Sequence, residues 1–407
     1  MDVVHAKCAG LDVHQQSVVA CVRLGTGKAV TYQVRTFGTS TPDLLALSDW
    51  LTTHGCTHVA LESTGVFWKP IWAVLDGAFE LVLANAMHIR NIPGRKSDVN
   101  DATWIADLLA HGLIRSSFVP PAPVQELRDL TRTRKQLVRE IAQHTLRIQK
   151  TLETANVKLT SVLADILGRS GRAILAALVA GETDPARLAA LANDKVRASP
   201  AELTAALHGR VTAHHRFMLQ LHLGQIAALE TAVRDVEARL AEALAPFRAA
   251  VDHLITMPGV SETVARVIVA EIGFDMTRFP SAAHLVSWAG LCPRLHESAG
   301  KRLSTRTRSS NPWLKTTLVQ AAWSAARTRD SYFRAQFLRI KSRRGPKKAV
   351  LAVAASMLAA AYHMLRAGAD YRDLGADHFD RRDKTKLAKR LIARLHDLGL
   401  TVEVRAA

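Results

Sequence analysis

Three prolines in four positions, Pro120-Pro121-Ala122-Pro123, constrain this chain more than any other stretch. They remove three backbone donors, so neither a continuous helix nor a paired strand can run through them. The chain also changes character there. Before them, short β-branched runs alternate with helical spacings. The runs 7–13, 17–24 and 29–37 read as strands, with Gly25-Thr26-Gly27-Lys28 as the turn between the last two. Residues 44–51 have helical spacing after Ser40-Thr41-Pro42, 57–63 is a strand, 68–75 a helix, 79–84 a strand and 102–113 a helix. Strands followed by alternating strands and helices predict an α/β domain with a mixed sheet over 1–120.

Past the prolines the spacing becomes helical. Leu127, Leu130, Leu137, Ile141 and Ile148 fall on an approximate heptad that also takes in Arg134 and His144. A second seam runs through Ile226, Leu229, Val233, Val236 and Leu240. Two such helices suit an antiparallel hairpin or an intersubunit coiled coil, and the edge of a plain bundle equally well. The intervening 158–212 is Ala- and Leu-rich and helical in pattern, and suggests no function. This defines a helical, coiled-coil linker over 121–250, a mainly α domain over 251–368 and a basic tail over 369–407.

At 407 residues the chain suits two or three domains, and 48% hydrophobic residues supply their cores. A formal net charge of +18 attracts polyanions, so nucleic acid is the expected partner and a membrane surface the weaker one. The longest nearly apolar run, 349–362, is too short to cross a bilayer and reads as a buried helix. No basic segment leads into an apolar stretch at the start, so no signal peptide is expected. Cys8, Cys21, Cys56 and Cys292 lack zinc-type spacing and fit a reducing cytoplasm.

Four acids stand at positions that suit chemistry. Asp12 ends the first strand in Gly10-Leu11-Asp12-Val13-His14, and Glu62 ends the fourth in Leu61-Glu62-Ser63-Thr64-Gly65. Functional groups in open α/β sheets gather at strand ends. Asp98 and Asp101, in Lys96-Ser97-Asp98-Val99-Asn100-Asp101-Ala102, are spaced to share one face of a helix start, with Ser97 or Asp98 as N-cap. Taken singly, each acid is explained by a turn or a cap. Converged, they repel: two carboxylates 4 Å apart cost roughly 4 kcal/mol at an effective dielectric of 20. An oxygen-only set of this kind calls for Mg²⁺ or Mn²⁺.

The C-terminal half carries two further features. Met257-Pro258-Gly259-Val260 between apolar helical runs looks like a helix-hairpin-helix, in which Gly259 lets backbone N–H groups approach a phosphate, or like a tight αα corner. Then Trp288-Ala289-Gly290-Leu291-Cys292-Pro293-Arg294 leads into a polar loop where Ser298 stands near Lys301, Arg302, Arg306 and Arg308. That loop can present a hydroxyl to a phosphate or simply contact one. A second cationic loop over 339–348 contains Arg343, Arg344, Lys347 and Lys348, and is a candidate for backbone contacts.

The strand-end Asp, the strand-end Glu and the Asp-x-x-Asp helix start resemble a RuvC-like, ribonuclease-H-type domain. Their wording is closest to the DEDD insertion-sequence transposases. The serine-bearing segment resembles the C-terminal half of the same family, although many relatives place Gly directly after the serine where Ala299 stands here. The resemblance implies a transposase or recombinase in which Asp12, Glu62, Asp98 and Asp101 hold Mg²⁺ and Ser298 attacks the scissile phosphate. It also implies a composite site across a dimer, two dimers pairing on donor and target double-stranded DNA, and a structured guide (bridge) RNA. The rival readings are a hydrolytic junction endonuclease of RuvC type and a non-catalytic nucleic-acid-binding scaffold.

Overall fold

The computed structural model describes residues 2–27, 29–63, 65–86, 89, 92, 100–293, 296–304, 306–307, 311–382 and 384–403. It divides into two compact units, Met1–Val119 and Pro120–Ala407.

The first unit is built on a five-stranded sheet of order β3-β2-β1-β4-β5. Its strands are β1 (Lys7–Val13), β2 (Ser17–Leu24), β3 (Thr31–Gly38), β4 (His58–Glu62) and β5 (Glu80–Ala84). β1, β2 and β3 form an antiparallel meander, while β4 and β5 run parallel to β1. The third strand begins at Thr31 rather than at residue 29 and is exposed along most of its length, as befits an edge.

Alternation along the strands sorts the two faces. Ala9, Leu11 and Val13 of β1 join Val59 and Leu61 of β4 in one core. Helices α1 (Thr41–Thr53) and α2 (Trp68–Leu75) cover it with Leu44, Leu47, Leu51, Ile71 and Leu75. Cys8, Ala60 and Ala84 face the other way, into a second core with Ile105, Leu108 and Leu109 of α3 (Asp101–Ala110). Gly10 permits that layer. A Cβ there would overlap the carbonyl oxygen of Ala102 and the amide nitrogen of Ala106, and would stand 2.9 Å from Ile105 Cβ. The α3 layer therefore lies directly on β1.

The second unit is helical. α4 (Ala122–Thr154) opens with Pro123 in its first turn, where a missing N–H costs nothing. Beyond it come α5 (Leu159–Val162), α6 (Arg169–Ala180), α7 (Pro185–Ala189) and α8 (Pro200–Leu207), then the long α9 (Ala213–Ala243). α4 and α9 lie antiparallel, since Arg134 meets Glu237 near one end and His144 meets His222 towards the other. Their seam is only partly closed. Leu127, Ile148, Ile226 and Leu240 are buried, whereas Leu130, Leu137, Ile141, Leu229, Val233 and Val236 are half-buried. The segment between the two helices packs Leu159, Leu163, Ile174, Leu175, Leu178 and Leu203 into one core with Ile148 and Leu152 of α4 and Leu219 and Ile226 of α9.

The rest comprises α10 (Arg248–Ile255), α11 (Glu262–Ile272), α12 (Ala282–Trp288), the hairpin β6 (His296–Ser298) with β7 (Lys301–Ser304), α13 (Pro312–Ala325), α14 (Tyr332–Arg344), α15 (Pro346–Ala367), α16 (His378–Arg382) and α17 (Lys384–Asp397). One expectation needs correction here. The cationic stretch 339–348 is not a loop: α14 runs to Arg344 and α15 begins at Pro346, with Gly345 (φ +79°) as the one break between them. A left-handed glycine and a proline at N1 end one helix and start the next with no further linker. The apolar run 349–362 is buried, as its pattern predicts, within a longer helix. α15 has 22 residues, enough by length and composition to cross a membrane, but half of its apolar window is buried within the protein.

Candidate functional site

The register of the sheet brings the first two acids together. Leu11 of β1 pairs with Leu61 of β4, so Asp12 and Glu62 are the next residues on neighbouring parallel strands. Both lie on the α3 face, because side chains alternate and Gly10 and Ala60 face α3. α3 runs antiparallel to β1: Ala106 lies over Cys8, whose Sγ reaches its carbonyl at 3.5 Å, while Ala102 lies over Gly10. Its first residue, Asp101, thus lies towards the end of the sheet that carries Asp12 and Glu62. Asp12 is largely covered, with 17% of its side chain exposed, and its Oδ2 lies 3.1 Å from Nε2 of His14. His14 is a neighbour of Asp12 that the sequence alone does not mark. Its one signal is the i+2 spacing beyond a strand-end aspartate.

The N-cap of α3 is Asn100, whose Oδ1 accepts from the amide of Ala102 at 2.9 Å, rather than Ser97 or Asp98. An asparagine at this position satisfies the orphan N–H directly and leaves Asp101 in the first turn, where the helix dipole favours an anion. Asp98 lies outside the described residues. Among the described residues no three of His, Cys, Asp and Glu are gathered closely enough to hold a metal ion. In donor chemistry Asp12, Glu62 and Asp101 are hard carboxylate oxygens, which suit Mg²⁺ and Mn²⁺ and not a soft metal. A fourth acid of this layer, Asp107, serves structure instead: its Oδ1 accepts from Arg23 Nε at 3.0 Å and from Tyr32 Oη at 2.7 Å, so the buried Arg23 is paired.

In the second unit Ser298 is the last residue of β6, and Lys301 is its partner across the hairpin. The two residues between them, Ala299 (φ +49°) and Gly300 (φ +73°), have the paired positive φ of a type I′ turn. Glycine takes this conformation freely. Alanine gives up of order 1–2 kcal/mol to do so. The turn thus places strain directly beside the serine. Lys301 and Arg306 are exposed, the backbone of Arg302 lies in β7, and Arg308 lies outside the described residues.

The ends of this basic loop are tied down by groups that sequence reading alone missed. Lys315 Nζ donates to Thr307 Oγ1 at 2.6 Å, and Pro293 bridges to Thr307. Asn311 caps α13 through Oδ1 and donates from Nδ2 to Glu271 Oε2 at 2.5 Å. Glu271 is fully buried and is gripped by Arg132 through two hydrogen bonds of 2.8 and 2.9 Å, with Arg128 Nε 3.4 Å away. A lone carboxylate could not be buried in this way; two guanidinium groups and an amide make it tolerable. On the next turns of α4, Lys135 and Arg139 join Arg132 around the ring of Trp313, at 5.4–5.7 Å from its centroid. No local pattern marks Glu271, because its partners are 139 and 40 residues away in the chain.

Gly259 has a packing reason of its own. At φ +82° it abuts α13, where a Cβ would come within 2.5 Å of the Ala321 carbonyl and the Ala325 amide. Met257 and Val260 of the same turn are buried. Arg343, Arg344, Lys347 and Lys348 are all exposed at the α14–α15 junction.

Comparison with known proteins agrees with this layout. A transposase family model of the DEDD IS110 group matches residues 9–157, and one described as "Transposase IS116/IS110/IS902 family" matches residues 251–338. Among curated relatives, the 43.6 kDa protein of insertion element IS110 from Streptomyces coelicolor is 27% identical over 367 residues, covering 82% of this chain and 87% of that protein. A protein of Sinorhizobium fredii named as a transposase, y4pF/y4sB, is 31% identical over 125 residues, covering 30% of this chain and 32% of its own length. The first family model spans the sheet with Asp12, Glu62 and α3, and the second spans the Ser298 hairpin and its anchors. Two models of one family thus account for more than half of the sequence, and the chain belongs to the IS110/IS116/IS902 family of transposases.

Proposed function

We propose that this transposase cuts and rejoins DNA with Ser298 as nucleophile and Asp12, Glu62, Asp98 and Asp101 as ligands of Mg²⁺ (Mn²⁺ as a substitute). The observation that carries the reading is the sheet register, which sets Asp12 beside Glu62 on the face where α3 begins with Asp101. A bound Mg²⁺ would polarise the phosphate and lower the barrier to attack by an alkoxide. His14, hydrogen-bonded to Asp12, orients that carboxylate. The Ser298 hydroxyl gives up its proton as its Oγ bonds to phosphorus, and the bond from phosphorus to the 3′ oxygen breaks. The departing oxygen takes a proton, leaving a 3′ hydroxyl and a phosphoserine-linked 5′ end. Attack by another strand's 3′ hydroxyl reverses these steps and releases the serine.

Gly259 and the cations Lys301, Arg302, Arg306, Arg308, Arg343, Arg344, Lys347 and Lys348 are assigned to the nucleic-acid backbone. Lys347 and Lys348 support this, because they stand in the first turn of α15, where the helix dipole is already positive and an anion is favoured. Dimers formed through an α4–α9 coiled coil, pairing on donor and target DNA, fit the half-closed seam and the exposed Leu146, Phe217 and Leu221 on its flanks. A structured guide RNA fits the +18 charge as a second polyanion. Action in the cytoplasm fits its free cysteines, which suit a reducing compartment.

The test is incubation of the protein with end-labelled DNA, Mg²⁺ and any RNA that co-purifies with it. A covalent protein–DNA adduct should form, and should be lost in Ser298→Ala and in Asp12→Asn. Undiminished cutting by Ser298→Ala would instead establish attack by water, the hydrolytic alternative.

A further inference from the structure

Between α4, α9, α11 and α13 lies a half-enclosed cavity of 280 Å³. This is close to the lower end, about 300 Å³, of the range for small-molecule sites. Its wall has two characters. Val138, Val264 and Val267 contribute apolar groups to it, and Arg134, Lys135 and Arg266 contribute three cations, on the same two helices.

Two of those cations are balanced. Arg134 is bonded to Glu237 at 2.7 Å, and Arg266 to Glu262 at 2.5 Å. Lys135 is not balanced: its ammonium donates to Thr316 Oγ1 at 2.7 Å, to Thr317 Oγ1 at 3.2 Å and to the Trp313 carbonyl at 3.5 Å, all neutral acceptors. Among the described residues no carboxylate lies within ion-pair distance of it. Glu271, the acid whose charge it feels, is already held by Arg128 and Arg132. Burial, and secondly the Arg139 guanidinium, push the Lys135 ammonium below the usual lysine range. Arg266 adds a second unmet demand, because its Nε is buried with no hydrogen-bond partner. A wall that carries an ammonium with no carboxylate partner is complementary to an anion. Valines interleaved with those cations ask that the anion carry a hydrophobic group.

We propose that this cavity binds a single nucleoside monophosphate, with its phosphate beside Lys135 and Arg266 and its base against Val138, Val264 and Val267. The source is either a free nucleotide or an unstacked terminal nucleotide of a strand, and the chemistry is shared. The site uses neither the carboxylates of the first unit nor Ser298, so it stands or falls separately from the reaction.

The test is calorimetric titration of the intact protein with dAMP, deoxyadenosine and orthophosphate as separate probes. dAMP should bind more tightly than either half. Lys135→Met should weaken it by about tenfold or more, the loss expected for a charge-assisted contact. Val267→Phe keeps every charge and fills the cavity, and should abolish binding without lowering the thermal midpoint. A 5′-phosphorylated single-stranded oligonucleotide that dAMP displaces, and that binds far more tightly than dAMP, identifies a strand end. Equal affinity identifies the free nucleotide. The proposal is overturned if dAMP gives no binding, if orthophosphate binds as well as dAMP, or if Val267→Phe binds as the unmodified protein does.

Discussion

At the scale of single residues, the first unit depends on Gly10 as much as on its acids. A methyl group at residue 10 would overlap backbone atoms of α3, which cannot rotate away as a side chain can. Gly10→Ala is therefore expected to lower stability by about 1–3 kcal/mol, the cost of overpacking a close-packed layer. It should also move Asp101 away from Asp12, because both hang on the β1–α3 contact. Urea unfolding checks the first expectation, and an unchanged midpoint would contradict it. The triplet Gly10-Leu11-Asp12 stands out in the sequence, but the reason for its glycine does not. Glycine in a strand signals close approach without naming the partner, and that partner is 92–96 residues further along the chain. Asp12 and Glu62 were legible as strand-end acids because alternation and strand limits are local properties. Glu271 was not, since a lone glutamate in a helix reads as solvent-facing until its arginines are known.

Among the elements, the α4–α9 hairpin carries a pH response. His222 is buried in the seam, its Nδ1 3.2 Å from Nδ1 of His144, and Arg147 approaches the other nitrogen of His144 at 3.5 Å. Burial first, then the charges of His144 and Arg147, hold the His222 pKa below its ordinary 6.5. The unfolded chain then takes up the proton more readily than the folded one. The stability due to neutral His222 is complete above about pH 6.5 and is lost as the pH falls through that value towards the lower folded pKa. The thermal midpoint should thus drop between about pH 7.5 and about pH 5.5, and His222→Leu should shrink that drop. An equal drop in the variant would assign the effect elsewhere. Heptad spacing revealed both helices, and the end-to-end pairing in the structure set them antiparallel. The junction of α14 and α15 shows the opposite case. A run of cations around Gly345-Pro346 reads as a loop, yet one left-handed glycine is all that separates two helices.

Over the whole molecule, the +18 charge governs partner choice more than fold. Binding to duplex DNA should weaken linearly on a log–log plot against salt, with a slope near 0.9 per neutralised phosphate. Replacing Arg343, Arg344, Lys347 and Lys348 with Gln should lower that slope by up to about 3.6, or four contacts at 0.9 each. Filter binding across a salt series checks this, and a slope unchanged by the four substitutions would remove the α14–α15 junction from the interface. These side chains are exposed, so the folded structure should survive the change. The same scale explains α15. Its composition would suit a bilayer, but Val353, Ala354, Leu358 and Ala361 are spent on the protein's own interior.

By itself the sequence determined the element types of the first unit, the long helices beyond the prolines, the strand-end acids and the resemblance to a transposase family. All of these rest on local periodicity, backbone chemistry or short motifs, which are read within a window of a few residues. Only the tertiary structure decided that Asp12 and Glu62 share a face, that Glu271 anchors the segment after the Ser298 hairpin, and that Lys135 is half-buried without a carboxylate. Each of these depends on partners tens to hundreds of residues apart. Folding brings such residues together through packing and register, and neither can be read from a short window of sequence.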